Sequence, residues 1–235
     1  MLNYNINLMK TNLFVISLGG SLVVPNEIDL NFLKKFKAFI LKHIKRNKKF
    51  IIIVCGGKIA RKYQQSAKKL TKVSNEDLDW LGIHATRINA HLLLTIFRNY
   101  AYYRVLKNPK EKVNFKEKIL IASGWKPGFS TDFDAVWLAK TYGSDTILNL
   151  TDVDYVYDKD PSKFKNAKAF KEITWDEYLK LLNQKWIPGM SAPFDPIASK
   201  LAKKFNFKCV IINGRNLKEL EKFLSGKNLK GTLIG

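Results

Sequence analysis

Two runs of apolar residues, each broken off by paired glycines, limit what this chain can become. Leu13-Phe14-Val15-Ile16-Ser17-Leu18 runs into Gly19-Gly20-Ser21, and Phe50-Ile51-Ile52-Ile53-Val54 runs into Cys55-Gly56-Gly57-Lys58. Strands that are apolar along their whole length, rather than at alternate residues, are covered on both faces, as in parallel sheets flanked by helices. Between the two runs Asp29 is placed to cap a helix whose apolar residues Leu33, Phe36, Ile40 and Ile44 recur at helical spacing. That is a βαβ unit. The pattern continues with helices over residues 59–70 and 77–100, a strand at 119–122, a helix at 132–142 and a strand at 146–150. It closes with a helix at 196–205, a strand at 209–212, a helix at 217–224 and a short apolar end at 232–234. Such alternation predicts an α/β fold, a three-layer αβα sandwich around a mostly parallel central sheet. A length of 235 residues fits one domain, with residues 1–12 as a polar leader in which Met9 offers an alternative start.

Composition excludes some classes. Hydrophobic residues make up 46%, yet no stretch approaches the roughly 20 apolar residues of a membrane helix, and the first twelve residues lack the apolar core of a signal peptide. The expectation is a cytoplasmic protein. Cys55 and Cys209 sit in or beside strand-like runs and read as buried free thiols. The formal charge of +21 attracts phosphate in any form, but only six of the 41 basic residues are arginine, and the lysines spread along helix faces. With the aromatics assigned to apolar faces rather than among the lysines, a nucleic-acid partner is not expected.

In open parallel sheets the ligand lies outside the carboxyl ends of the strands. Glycines cluster there in this chain. Gly19-Gly20-Ser21 lets backbone N–H groups approach a phosphate, although the triplet alone is equally a tight turn. Gly56 and Gly57 precede a helix start bearing Lys58 and Arg61 one turn apart, so backbone donors and two cations converge. Neither loop has the spacing of a Walker A or a GxGxxG fingerprint. After the third strand comes SGWKPGFSTDFD, with a turn at Pro127-Gly128, hydroxyls on Ser130 and Thr131, and Asp132 where a helix begins. Standing alone, Asp132 reads as an N-cap. The fourth loop, LTDVDYVYDKDP, brings four acids and reads either as a solvated surface loop or as a ligand loop. Asp79 opens a long helix, where an acid favours the dipole whatever it binds. His84 and His91 read as packing or surface residues, His43 lies at a basic helix end, and no His/Cys spacing suits a metal.

ISLGGSLVVP, IIIVCGGKIARKY, DWLGIHATRINAHLL, GWKPGFSTD, LTDVDYVYDKDP and FDPIASKLA stand in the order and approximate spacing of the amino acid kinase superfamily. From Leu13 onward the chain most resembles its archaeal-type uridylate (UMP) kinases. Kinases of isopentenyl phosphate are similar in order but carry a histidine-containing segment where this chain has Lys58-Ile59-Ala60-Arg61. The resemblance implies transfer of the γ-phosphoryl of ATP to UMP, with Mg²⁺ arriving on the ATP, and assembly as a hexamer. It assigns Gly20, Ser21, Gly57, Arg61, Thr151, Tyr157 and Asp160 to ATP. To UMP it assigns Gly56, Asp79 and the stretch Trp125-Lys126-Pro127-Gly128-Phe129-Ser130-Thr131. Asp132 would organise the reaction centre. A kinase of another small phosphate and a non-catalytic nucleotide-binding regulator are the alternatives.

Three residues depart from that pattern. Many members carry a lysine where this chain has Ser17, so Lys200 or Lys58 is expected to supply the missing cation. Tyr155 stands in place of a motif glycine and would be strained at positive φ. Cys55 replaces another glycine.

Overall fold

The computed structural model describes residues 12–185 and 193–235. The leader, apart from Asn12, and the alternative start at Met9 lie outside them. The strands are β1 (Leu13–Leu18), β2 (Lys49–Val54), β3 (Ile119–Ala122), β4 (Thr146–Thr151), β5 (Val156–Tyr157), β6 (Ala169–Phe170), β7 (Glu172–Ile173), β8 (Lys208–Asn213) and β9 (Thr232–Ile234). The helices are α1 (Gly20–Val23), α2 (Leu30–Lys45), α3 (Gly57–Leu70), α4 (Asn75–Ile96), α5 (Thr131–Tyr142), α6 (Trp175–Lys185), α7 (Pro196–Lys204) and α8 (Leu217–Leu224).

Seven strands form one sheet in the order β3-β2-β1-β4-β8-β9-β7. From β3 to β8 every pairing is parallel, and only the β8–β9 contact is antiparallel. The runs that looked apolar throughout are divided between two cores. Phe14, Ile16 and Leu18 face one layer with Phe50, Ile52 and Val54, where they meet α2, α8 and the second half of α4. Val15, Ile51 and Ile53 face the other, against α5, α6 and α7. Alternation of Cβ direction along a strand therefore serves both faces, and the three-layer sandwich follows.

Asp29 caps α2 as expected, its carboxylate accepting from the Phe32 N–H at 2.9 Å. Several elements differ from expectation. Gly20 and Ser21 belong to a short helical turn rather than an open loop. Helix α4 starts at Asn75 because Ser74 accepts the Asp77 N–H at 3.0 Å, and it ends at Ile96 rather than Tyr100. Helix α6 and the two-residue strands β5, β6 and β7 stand beyond the elements expected from sequence. No helix among the described residues is long and apolar enough to cross a membrane.

Candidate active site

Strand β1 lies between β2 and β4, so the chain leaves it in opposite directions on its two sides. That reversal opens a crevice beyond the carboxyl ends of β1 and β4, where ligands of open α/β sheets bind. Both glycine pairs are at this edge. The Gly19 N–H donates to Leu150 O at 2.8 Å, and a Cβ on Gly19 would come 2.8 Å from that oxygen. The turns after β1 and β2 touch main chain to main chain: a Cβ on Gly20 would lie 2.3 Å from Gly57 N and 2.5 Å from Cys55 O. Gly57 adopts φ +63°, which favours glycine for a second reason. From α4, Asn89, 4% exposed, donates to Cys55 O at 3.0 Å and steadies the second turn. Arg215, after β8, steadies the first by donating to Ser21 O at 3.2 Å while pairing with Asp29, also at 3.2 Å. Both are mid-helix or loop residues whose partners are distant in sequence.

Asp132 does not cap α5. Ser130 does, accepting the Phe133 N–H at 3.1 Å. The Asp132 carboxylate instead accepts from the Ser17 hydroxyl at 3.1 Å through one oxygen and from the Asp195 N–H at 3.1 Å through the other. Strand β1, helix α5 and the start of α7 thus meet on one acid. Burial pushes its pKa up to about 7, the Asp195 carboxylate adds to the rise, and the two hydrogen bonds oppose it. Asp195 in turn caps α7, accepting the Ile197 and Ala198 N–H groups at 2.8 Å each. The same helix carries Lys200, which is exposed. Beside this centre the Thr131 hydroxyl donates to Cys55 Sγ at 3.0 Å. Burial, then the nearby Asp132, pushes the thiol up to about 11, so Cys55 is a protonated packing residue rather than a nucleophile.

The loop of residues 123–131 is fastened along its own backbone. Gly124 N–H donates to Thr86 Oγ1 at 2.9 Å, and Trp125 N–H to Asp134 Oδ2 at 3.0 Å. Trp125 O accepts from Arg87 at 3.2 Å, and Gly128 N–H donates to Asp79 at 2.8 Å. Gly128 has φ +86°, as the third residue of a type II turn requires after Pro127. Asp79 is therefore more than a helix-dipole acid, since it ties α4 to the tip of the loop. The Trp125 and Phe129 rings stack at 5.4 Å, with Phe133 a further 4.3 Å from Phe129. Lys126 lies 4.5 Å from the Trp125 ring centre, and Lys110 lies 5.3 Å from it and 4.2 Å from that of Trp137. Here aromatics and lysines do interleave, contrary to the expectation from sequence, because Lys110 reaches the site from a distant segment.

The acidic loop after β4 folds as a hairpin, β5 pairing with β6 in antiparallel register. Asp152 accepts from the Ser21 hydroxyl at 3.4 Å, and Asp154 from Asn213 at 2.8 Å. Among the described residues positive φ outside glycine occurs at Asn47 and Asn206, so Tyr155 fits its place without strain. Its ring packs edge-on against Tyr157 at 6.2 Å. Thr151 ends β4, with its hydroxyl donating to Asp152 at 3.3 Å. Asp160 sits further out, accepting from the Ser162 N–H and hydroxyl at 2.9 and 2.7 Å. Lys58 and Arg61 are exposed on the first turns of α3, Lys58 reaching Asn26 at 3.4 Å. His84 and His91 are exposed and His43 is buried.

A crevice beside two joined glycine turns, with a half-buried acid that joins β1, α5 and α7, cationic side chains on a helix start and a separate tethered loop, describes a phosphate-handling α/β protein. Residues 12–213 match the model of the amino acid kinase family, and the chain belongs to that family. Among its relatives is a uridylate kinase of Thermococcus sibiricus, 36% identical over 94% of this chain and 98% of that one. A uridylate kinase of Methanobrevibacter smithii is 35% identical, covering 94% and 97%. In structure the chain is similar to uridylate kinase from Archaeoglobus fulgidus, with a TM-score of 0.78, 27% identity and coverage of 96% and 100%.

Proposed function

We propose that the chain is a UMP kinase, transferring the γ-phosphoryl group of ATP to UMP to give UDP and ADP, within pyrimidine nucleotide synthesis in the cytoplasm. The observation that carries this reading is the joining of two glycine turns at the crevice beside a loop tied down by its own main chain. Two anionic ligands can there be held against one another. The relatives that bear the name uridylate kinase support UMP as the acceptor.

In this reading the chain acts as one kinase unit, its N-terminal part holding the acceptor and its C-terminal part ATP, whose phosphates reach back to the glycine turns. Gly20, Ser21, Gly57 and Arg61 hold the ATP phosphates, while Thr151, Tyr157 and Asp160 border its adenine and ribose. Gly56, Asp79 and residues 125–131 hold UMP. Asp79 uses one oxygen for the Gly128 N–H and keeps lone pairs for ribose hydroxyls. The attacking phosphate oxygen is already ionised near neutral pH, so no general base is required, and catalysis consists of alignment and charge stabilisation. Asp132 aligns by joining β1, α5 and α7. Ser17 is neutral and occupied with Asp132, so Lys200 and Lys58 supply the positive charge for the transferring group. Among the described residues no group of three or more His, Cys, Asp or Glu side chains is gathered to hold a metal, and in this reading Mg²⁺ carried in by ATP would be held by phosphate and water, neutralising phosphate charge. Exposed Tyr63 and Leu70 on α3, with Trp80 and Ile88 on α4, offer apolar surface for a homo-oligomer, a hexamer by resemblance.

An ADP-release assay with UMP, CMP, dUMP, AMP and isopentenyl phosphate tests the assignment. UMP should give the highest kcat/KM. A higher value for CMP or isopentenyl phosphate would overturn the choice of acceptor, and ADP release with none of them would leave a nucleotide-binding regulator.

A further inference from the structure

We propose that Asp134 is a positioning residue for the acceptor, fixing through the Trp125 main chain the shape of the loop that receives UMP. The inference rests on reading residues 125–131 as the acceptor loop. Asp134 lies on α5 among Ala135, Val136, Leu138 and Ala139, and all five are 0% exposed. An apolar side chain would serve helix packing there. Burying a carboxyl group instead is costly unless it is hydrogen-bonded. Its Oδ2 accepts one bond, from the Trp125 N–H at 3.0 Å, and its Oδ1 is buried with no hydrogen-bond partner. Proximity to the helix N-terminus does not account for it, because Asp132 already places an acid in the first turn and the dipole favours an exposed acid equally. What distinguishes an acid at this position is the loop amide it holds.

The consequence for the loop follows from its other ties. Gly124 N–H and Trp125 O are held by Thr86 and Arg87, and Gly128 N–H by Asp79. All three of those residues belong to α4, whereas Asp134 is the tie from α5. It fixes the peptide plane at the point where the chain turns out of the sheet and where the Trp125 ring stacks on Phe129. Without it the loop is anchored from one helix only. Asp134 is fully buried and cannot touch a substrate itself, so its effect reaches the acceptor through the main chain.

The test compares wild type with Asp134→Asn and Asp134→Val, measuring KM for UMP and for ATP and the thermal shift that each nucleotide produces. Asparagine keeps an acceptor oxygen for the Trp125 N–H and valine removes it. Asp134→Val should raise KM for UMP by about tenfold or more and reduce the UMP-induced shift, with KM for ATP within about twofold. Asp134→Asn should restore KM for UMP to within about threefold of wild type. A residue that only supports the fold would move both KM values together and would not separate the two nucleotides. Unchanged KM for UMP in the valine variant, an equal rise for ATP, or asparagine as damaging as valine would each overturn the proposal. If Asp134→Val fails to fold, Asp134→Ala takes its place, and failure of both would mark Asp134 as structural and overturn the proposal too. A wild-type protein inactive on UMP would instead defeat the acceptor assignment, and this inference with it.

Discussion

The loops after β3 and β4 leave the same sheet edge, yet they are held in different ways. Residues 124–128 are tied through main-chain atoms to Asp79, Thr86, Arg87 and Asp134. The loop after β4 is held at residues 152–154 through side chains, Ser21 to Asp152 and Asn213 to Asp154, with both acids exposed, and a main-chain tie follows only at Val156, whose N–H donates to Thr232 Oγ1 at 2.8 Å. Main-chain ties fix the shape of a loop before any ligand arrives, so its ordering cost is not charged to binding. Side-chain ties at the surface are weaker and readily exchanged for contacts with an incoming phosphate or sugar. In the proposed enzyme the acceptor side is therefore preformed, and the ATP side adjusts to its nucleotide.

The largest expected effect comes from breaking the joint that both sides share. In Gly20→Ala the new Cβ meets main-chain atoms of Gly57 and Cys55 at 2.3 to 2.6 Å, with no flexible side chain to yield. Thermal melting should show a loss of about 3 kcal/mol or more, roughly 6 to 12 °C in Tm, and KM should worsen for both nucleotides. A variant as stable as wild type would mean that the turns are not in contact. Next in size, Asp79→Ala should raise KM for UMP about tenfold, near 1.4 kcal/mol, and leave KM for ATP nearly unchanged. Equal changes in both constants would erase the distinction between the sides.

A third effect concerns pH. Burial first, and then Asp132, pushes the Asp134 pKa up to about 7, against the ordinary 3.8. A carboxyl group whose folded-state pKa is raised binds its proton more tightly in the folded chain. Its contribution to stability is full below the unfolded value and is lost as pH rises through about 7. Tm should therefore fall between about pH 4 and about pH 7 and level off above, and Asp134→Asn should reduce that fall. An unaltered slope in the variant would show that Asp134 does not titrate in this range.

Much of this was legible because local rules and the global fold agree. The paired glycines after β1 and β2 and the Asp29 cap are local features, and the structure has them where the pattern put them. The start of α5 was harder: Ser130, Thr131 and Asp132 are all able to cap, and only the approach of Ser17 and Asp195 shows why Asp132 is drawn inward. Helix α6 carries a start signal in its sequence. Thr174 and Glu177 form a reciprocal capping box, the Glu177 N–H donating to Thr174 Oγ1 at 3.2 Å and the Thr174 N–H to Glu177 at 2.9 Å. Thr86, Arg87, Asn89 and Asp134 left no comparable trace. They are ordinary helix residues until tertiary packing brings a loop backbone against them.

The contact between Gly20 and Gly57 sets a tolerance. In the proposed reaction two phosphates must meet in line, and misplacement by about 1 Å can cost a factor near 10² in rate. A cradle assembled from side chains would inherit the spread of their rotamers. Here the two turns abut as bare peptide, so in the proposed enzyme the offset between the ATP phosphates at Gly20 and the acceptor at Gly56 is set by atomic radii and bond lengths.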